Sequence, residues 1–148
     1  MRIVLDTNVL INGFKDEYSF EKRIINEVVA GRVEAFANRQ TLRENKLISS
    51  QLIENEAYQK DLQKLFSQIN WVINKRQIKI VRDPEDNKIL ESAAEAGAEY
   101  LITSDNDLLT LGQYQKIQII NPSQFWAKYK DDGIDLWKQW TKFISKTK

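Results

Sequence analysis

The chain alternates short β-prone apolar runs with longer stretches in which apolar residues recur at helical spacing. Arg2-Ile3-Val4-Leu5 predicts a first strand, and Val9-Leu10-Ile11 the first turns of a short helix behind the turn Asp6-Thr7-Asn8. Ser19 caps a second predicted helix that carries Ile24, Ile25, Val28 and Val29 and stops at Gly31. Val33 to Ala37 alternates weakly and reads as a strand. Asn38 can then cap a helical region from about Gln40 to Trp71, in one piece or broken at Ser49-Ser50. Ile78-Lys79-Ile80-Val81 predicts a third strand. Asp83 with Pro84 opens a helix over 84–96, with Ile89, Leu90, Ala93 and Ala94 on one face and Gly97 as its stop. Tyr100 to Thr103 reads as a buried strand, and Ser104 to Asp107 opens a helix through Leu108 and Leu109. Lys116 to Ile120 reads as a fifth strand, and Asn121-Pro122 starts a last helix.

This alternation predicts an α/β fold: a three-layer α/β/α sandwich around a central parallel sheet of about five strands, joined by right-handed crossovers. The C-terminus breaks the rhythm. A loop is expected at Asp131-Asp132-Gly133, followed by Ile134, Trp137, Trp140, Phe143 and Ile144 at helical spacing, with Lys138, Lys142 and Lys146 on another face. Residues 1–127 are therefore expected to form one domain, and residues 128–148 an amphipathic helical extension packed on that domain or on a partner. Residues 121–148 hold six lysines against three aspartates, which makes the outer face basic.

At 148 residues the chain fits a single domain able to bury about two-thirds of its unfolded surface. With 22 basic and 21 acidic residues it has no global field that would single out a nucleic acid. Cysteine and histidine are both absent, which excludes thiol catalysis, disulfides, imidazole bases and the usual zinc sites. Any metal must be held by oxygen. No stretch approaches the ~20 apolar residues of a membrane span, and the first apolar run is too short for a signal peptide, so a cytoplasmic location is expected.

The acids carry the chemistry. Asp6 follows the first strand, Asp86 lies in the first turn of the helix capped by Asp83, and Asp105 and Asp107 open the helix after the strand at 100–103. Each alone has an ordinary explanation as a cap or as a partner of the helix dipole. Delivered together to the C-terminal edge of one parallel sheet, they would repel one another unless a cation sat among them. Mg²⁺ or Mn²⁺ suits such a set, and phosphodiester cleavage is the chemistry that follows.

Asp6-Thr7-Asn8 after a first strand, Glu44 in a following helix, Asp83-Pro84-Glu85-Asp86-Asn87-Lys88, and Thr103-Ser104-Asp105-Asn106-Asp107-Leu108-Leu109 together resemble a PIN-domain ribonuclease over about residues 1 to 127. Within that family the resemblance is to the VapC-like toxins of toxin–antitoxin pairs. It implies a metal-dependent endoribonuclease with Asp6, Glu44, Asp86 and Asp105 as catalytic carboxylates. It also implies Asp6, Asp86, Asp105 and Asp107 as ligands of Mg²⁺ or Mn²⁺, with Thr7, Asn8 and Ser104 as supporting polar groups. RNA as substrate, an antitoxin protein and a homodimer follow as expected partners. The alternative is a PIN-fold module that binds RNA or a protein without cutting. Haloacid-type hydrolases need an Asp where Asn8 stands, receiver domains fit only loosely, and neither accounts for Asp105 and Asp107. Nucleotide-binding folds lack their glycine-rich turn among five glycines.

Overall fold

Ile3, Val4 and Leu5 are all buried, and a strand buried on both faces belongs in the middle of a sheet. The computed structural model, which describes residues 1–41 and 55–146, places β1 (Arg2–Leu5) there. It pairs in parallel with β2 (Glu34–Asn38) on one side and β4 (Tyr100–Ile102) on the other. β3 (Asn70–Val72) extends the sheet beyond β2, and β6 (Ile117–Ile120) beyond β4, both in parallel. β5 (Gln113–Tyr114) closes the far edge antiparallel to β6, giving the order β3-β2-β1-β4-β6-β5. The described residues thus hold five parallel strands, the number expected although one of them lies elsewhere in the chain, plus one antiparallel edge strand.

Helices cover both faces, as a parallel sheet requires. Alternation along the strands divides the core in two. Ile3, Leu5, Ala35, Ile102 and Ile120 face α1 (Thr7–Lys15), α2 (Phe20–Val29), α3 (Glu56–Gln68) and Phe125 at the start of α6 (Pro122–Lys146). Val4, Leu101 and Ile119 face Ile89, Leu90 and Ala93 of α4 (Pro84–Ala96) and Leu108 of α5 (Asn106–Leu111). The expected caps form. Ser19 Oγ accepts from Lys22 N at 3.1 Å, Asp83 Oδ1 from Glu85 N at 2.9 Å, and Asn121 Oδ1 from Gln124 N at 2.8 Å. Gly97 ends α4 in the left-handed region at φ 60°, and its N–H reaches the carbonyls of Ala93 and Ala94.

Three expectations fail, each for a physical reason. Ile78 to Val81 joins no ladder; the third strand is Asn70–Val72, so Trp71, expected at the end of a helix, lies in a sheet. The segment from Asn74 to Val81 is instead fastened to α4 by side chains one helical turn apart. Glu95 Oε1 accepts from the N–H groups of Lys75 and Arg76 at 3.1 and 3.2 Å, and Glu91 Oε1 from that of Ile78 at 2.9 Å. Asn87 Oδ1 accepts from Ile80 N and Val81 N at 3.1 and 2.9 Å, while its Nδ2 donates to Val81 O at 2.9 Å. The third failure is the loop at Asp131-Asp132-Gly133, which is helical, so α6 runs unbroken for 25 residues. Gly133 is not among the glycines at positive φ, and a glycine inside a helix costs only about 1 kcal/mol relative to alanine. Of the long helical region, Asn38 caps an opening turn at 39–41 through a 2.7 Å bond to Thr41 N, and α3 resumes after Asn55. Ser49-Ser50, where that region was to continue or break, lies outside the described residues.

Asn87→Ala would strand two backbone donors and one acceptor. We expect it to lower stability by about 2–4 kcal/mol in urea denaturation, against less than about 0.5 kcal/mol for Gln77→Ala on the exposed side of the same segment.

Candidate metal centre

The ends of β1 and β4 are tied together by side chains. The Asp6 N–H continues the ladder to Ile102 O at 3.0 Å, which holds the residue extended and level with Thr103. Its carboxylate then receives two bonds, one from Thr7 N on Oδ1 at 2.7 Å and one from Thr103 Oγ1 on Oδ2 at 2.7 Å. Thr103 is fully buried, and its hydroxyl accepts in turn from Asp105 N at 3.0 Å. A relay therefore runs from the backbone of the β4 loop through one hydroxyl to the carboxylate at the end of β1. Asn8 Oδ1 stands 3.5 Å from Ser104 N, a long contact between the same two loops.

Asp105 caps α5 by accepting from Asp107 N at 2.8 Å, and this turns both acids towards the first turn of α4. Asp86 lies there, only 5% exposed, and its Oδ2 is buried with no hydrogen-bond partner among the described residues. One carboxylate oxygen from each of Asp86, Asp105 and Asp107 lies within 4.8 Å of the others. Asp6 is not in that triad; its oxygens each accept one bond, from Thr7 and Thr103. It is nevertheless close enough for its charge to act on Asp86.

The electrostatics are those of crowded acids with too little compensation. Burial, then the charges of Asp105, Asp83, Asp6 and Asp107, push the Asp86 carboxyl up to about 7. Asp6 is raised as well, by burial first, with the bonds from Thr103 and Thr7 pulling the other way and Asp105 and Asp83 adding to the rise. A buried carboxylate with an unpartnered oxygen, grouped with two more carboxylates, is a donor set that suits a hard divalent cation, which takes oxygen ligands and retains waters.

Of the residues expected from sequence, Asp86, Asp105 and Asp107 meet, Asp6 stands beside them, and Asn8 and Ser104 link the two loops. Thr7 contributes its backbone N–H to Asp6. Glu44 lies outside the described residues. Two residues that the sequence places in these motifs without a site role also contribute: Thr103, which joins Asp6 to Asp105, and Asp83, whose charge presses on both Asp6 and Asp86.

A family model described as a PIN domain matches residues 2–107. An uncharacterized protein of Methanocaldococcus jannaschii is 28% identical over 151 residues, covering 98% of this chain and 95% of its own. The fold is similar to a chain in the crystal structure of VapBC2 from Rickettsia felis bound to a DNA fragment from its promoter. That likeness has a TM-score of 0.58 at 15% identity over 82% of this chain and 98% of that one.

Between pH 4 and 7 folded Asp86 keeps a proton that an unfolded aspartate, near 3.8, has released. The folded state then binds more protons than the unfolded one, so stability falls as pH rises through this window. In EDTA we expect a loss of about 2–4 kcal/mol from pH 5 to pH 8, read from urea denaturation. Asp86→Asn should flatten that dependence, and Mn²⁺ at pH 8 should restore the stability of the native chain but not of the variant.

Proposed function

The chain belongs to the PIN-domain family, and on that premise we propose that it is an endoribonuclease whose carboxylates hold Mg²⁺ or Mn²⁺ and hydrolyse RNA phosphodiester bonds. The observation that carries this reading is the buried Asp86 carboxylate, which has one unpartnered oxygen and is grouped with Asp105 and Asp107. Asp86, Asp105 and Asp107 would contact the ion, and Asp6, fixed by Thr103 and Thr7, would complete the site from the β1 side. When bound, such an ion lowers the pKa of its water and stabilises charge on the phosphate oxygens. With neither histidine nor cysteine in the chain, proton transfer falls to these carboxylates and to solvent. Glu44 enters as a further catalytic carboxylate on the strength of the family resemblance. Asn8 and Ser104 keep the two loops at a fixed separation.

The VapBC2 of Rickettsia felis was crystallised bound to a DNA fragment from its promoter. For this chain we assign by analogy the role of toxin, acting in the cytoplasm against RNA and restrained by an antitoxin. Among the described residues no helix is long and apolar enough to cross a membrane. The C-terminal extension is assigned to partner contact, either with the antitoxin or across a homodimer, because Trp137 and Trp140 are 66% and 53% exposed along α6.

Purified protein should cleave single-stranded RNA with Mg²⁺ or Mn²⁺ and not in EDTA. Asp105→Asn and Glu44→Gln should each reduce the rate by on the order of 100-fold or more while the fold survives, since each keeps shape and removes a charge. A chain that binds RNA but never cuts it would instead support the non-cleaving module. Thr103→Val should cost about 10–100-fold in metal affinity, and Thr103→Ser should recover most of it. Isothermal titration with Mn²⁺ measures both.

A further inference from the structure

Beside the carboxylates lies a second feature that the cleavage chemistry does not use. Residues 75–82 read Lys-Arg-Gln-Ile-Lys-Ile-Val-Arg, four cations without an acid. Side chains of this run line a cleft of about 690 Å³ between the segment and α4, which shares walls at Asn74, Lys88 and Glu91 with a neighbouring cleft of about 320 Å³. Among the described residues, Arg76 is paired with Glu95 at 3.6 Å, whereas Lys75, Lys79 and Arg82 have no carboxylate within 4.0 Å. Their backbone is held in place by Glu95, Glu91 and Asn87, so the cations are presented from a fixed rail rather than from a free loop.

The smaller cleft carries this rail towards the acids. It is lined by Asn38 and Arg39 at the end of β2 and by Val72 and Ile73 at the end of β3. Asn38 is the register partner of Val72, and two residues beyond the Val4–Phe36 pair it stands level with Asp6. Two strand spacings, about 10 Å, separate the β3 end from the β1 end along this edge. The Arg39 guanidinium sits 5.2 Å over the ring of Trp71, which holds the charge at the cleft's rim. Ile73 is 77% exposed and Trp71 47% exposed, an apolar surface beside the cations that suits unpaired bases and not a closed duplex.

We infer that the cleft between α4 and the Lys75–Arg82 rail, continued past Arg39, is the track along which a single strand of RNA reaches the carboxylates. Lys75, Lys79 and Arg82 contact its phosphates, and the exposed apolar edge receives its bases. This rests on the nuclease reading for the identity of the strand, but the binding it describes needs neither metal nor cleavage.

The test is fluorescence anisotropy of the full chain with a labelled mixed-sequence single-stranded RNA 15-mer, in EDTA, at a series of KCl concentrations. Replacing Lys75, Lys79 and Arg82 together by Gln should weaken binding at least about tenfold and make the salt slope shallower by about 2, at about 0.7 per lost phosphate contact. Trp71→Ala should weaken binding several-fold, with Trp71→Phe restoring it. Lys60→Gln with Lys64→Gln, on α3, should change nothing, and thermal melts confirm that each variant is folded. Absence of binding by the native chain overturns the inference. So do an unchanged affinity and slope in the triple variant, or displacement of the strand more readily by duplex RNA or an acidic peptide than by unlabelled single strand. The two readings fail separately. Mn²⁺-dependent cleavage with an unaltered KM in the triple variant removes the track and leaves the nuclease, whereas rail-dependent binding without cleavage by the native chain removes the nuclease and leaves the track.

Discussion

Crowding of negative charge at the ends of β1 and β4 is the constraint around which this molecule is built. Asp6, Asp86, Asp105 and Asp107 cannot all be ionised at that spacing without cost, and the Asp86 carboxyl, pushed up to about 7, registers it. Three covalently remote parts of the chain have to be held against their mutual repulsion. The sheet does most of this, because strands buried on both faces leave β1 and β4 no freedom to part. The Thr103 hydroxyl does the rest, spending its one proton on Asp6 and its lone pair on the Asp105 N–H. Asp6 is thereby satisfied by protein, and Asp86 is left as the carboxylate whose need is unmet.

The same economy of hydrogen bonds explains the second half of the site. A segment of β-forming residues would ordinarily satisfy its backbone in a ladder, yet Lys75 to Val81 finds its partners in Glu95, Glu91 and Asn87, three side chains spaced four apart on one helix. Such a ladder of side chains fixes a strand-like segment against a helix instead of within the sheet. Asn87 is adjacent to Asp86 in sequence, so the residue that anchors the rail and the residue that lacks a partner belong to one helical turn. Displacing one would disturb the other.

Much of this was legible in the sequence where the governing physics is local. Asp83-Pro84 and Gly97 bound α4 because a side-chain acceptor, a fixed φ and a left-handed stop act within a few residues of themselves. The acids of the motifs were legible as a group because strand ends and helix starts lie on a predictable sheet edge. What was not legible depends on partners far along the chain. Ile78-Lys79-Ile80-Val81 has the composition of a strand, and only the fold reveals that α4 takes its hydrogen bonds. β5 escaped notice because the turn into β6 uses Gln115 at φ 52° where glycine or asparagine would have been the signal. Thr103 reads as the end of an apolar run, and its partner Asp6 is 97 residues away. The Asp131-Asp132-Gly133 stretch has turn composition, but it lies between two segments that are each helical in their own right, and one glycine is too small a penalty to part them.

A formal charge of +1 over 148 residues conceals the most informative electrostatic feature of the chain, which is segregation. Between Lys75 and Arg82 there are only cations, and between Asp83 and Asp86 there are three acids and no cation. The junction falls at the start of α4, where the helix dipole favours the acids. Within a Debye length of about 8 Å a polyanionic strand would meet attraction on one side of that junction and repulsion on the other. Repulsion at the carboxylates is tolerable only if a cation reduces it, whereas attraction along the rail operates without one. On the proposed function, binding and chemistry would have separate electrostatic origins on adjoining surfaces, and average composition is silent about both because the charges cancel in the sum.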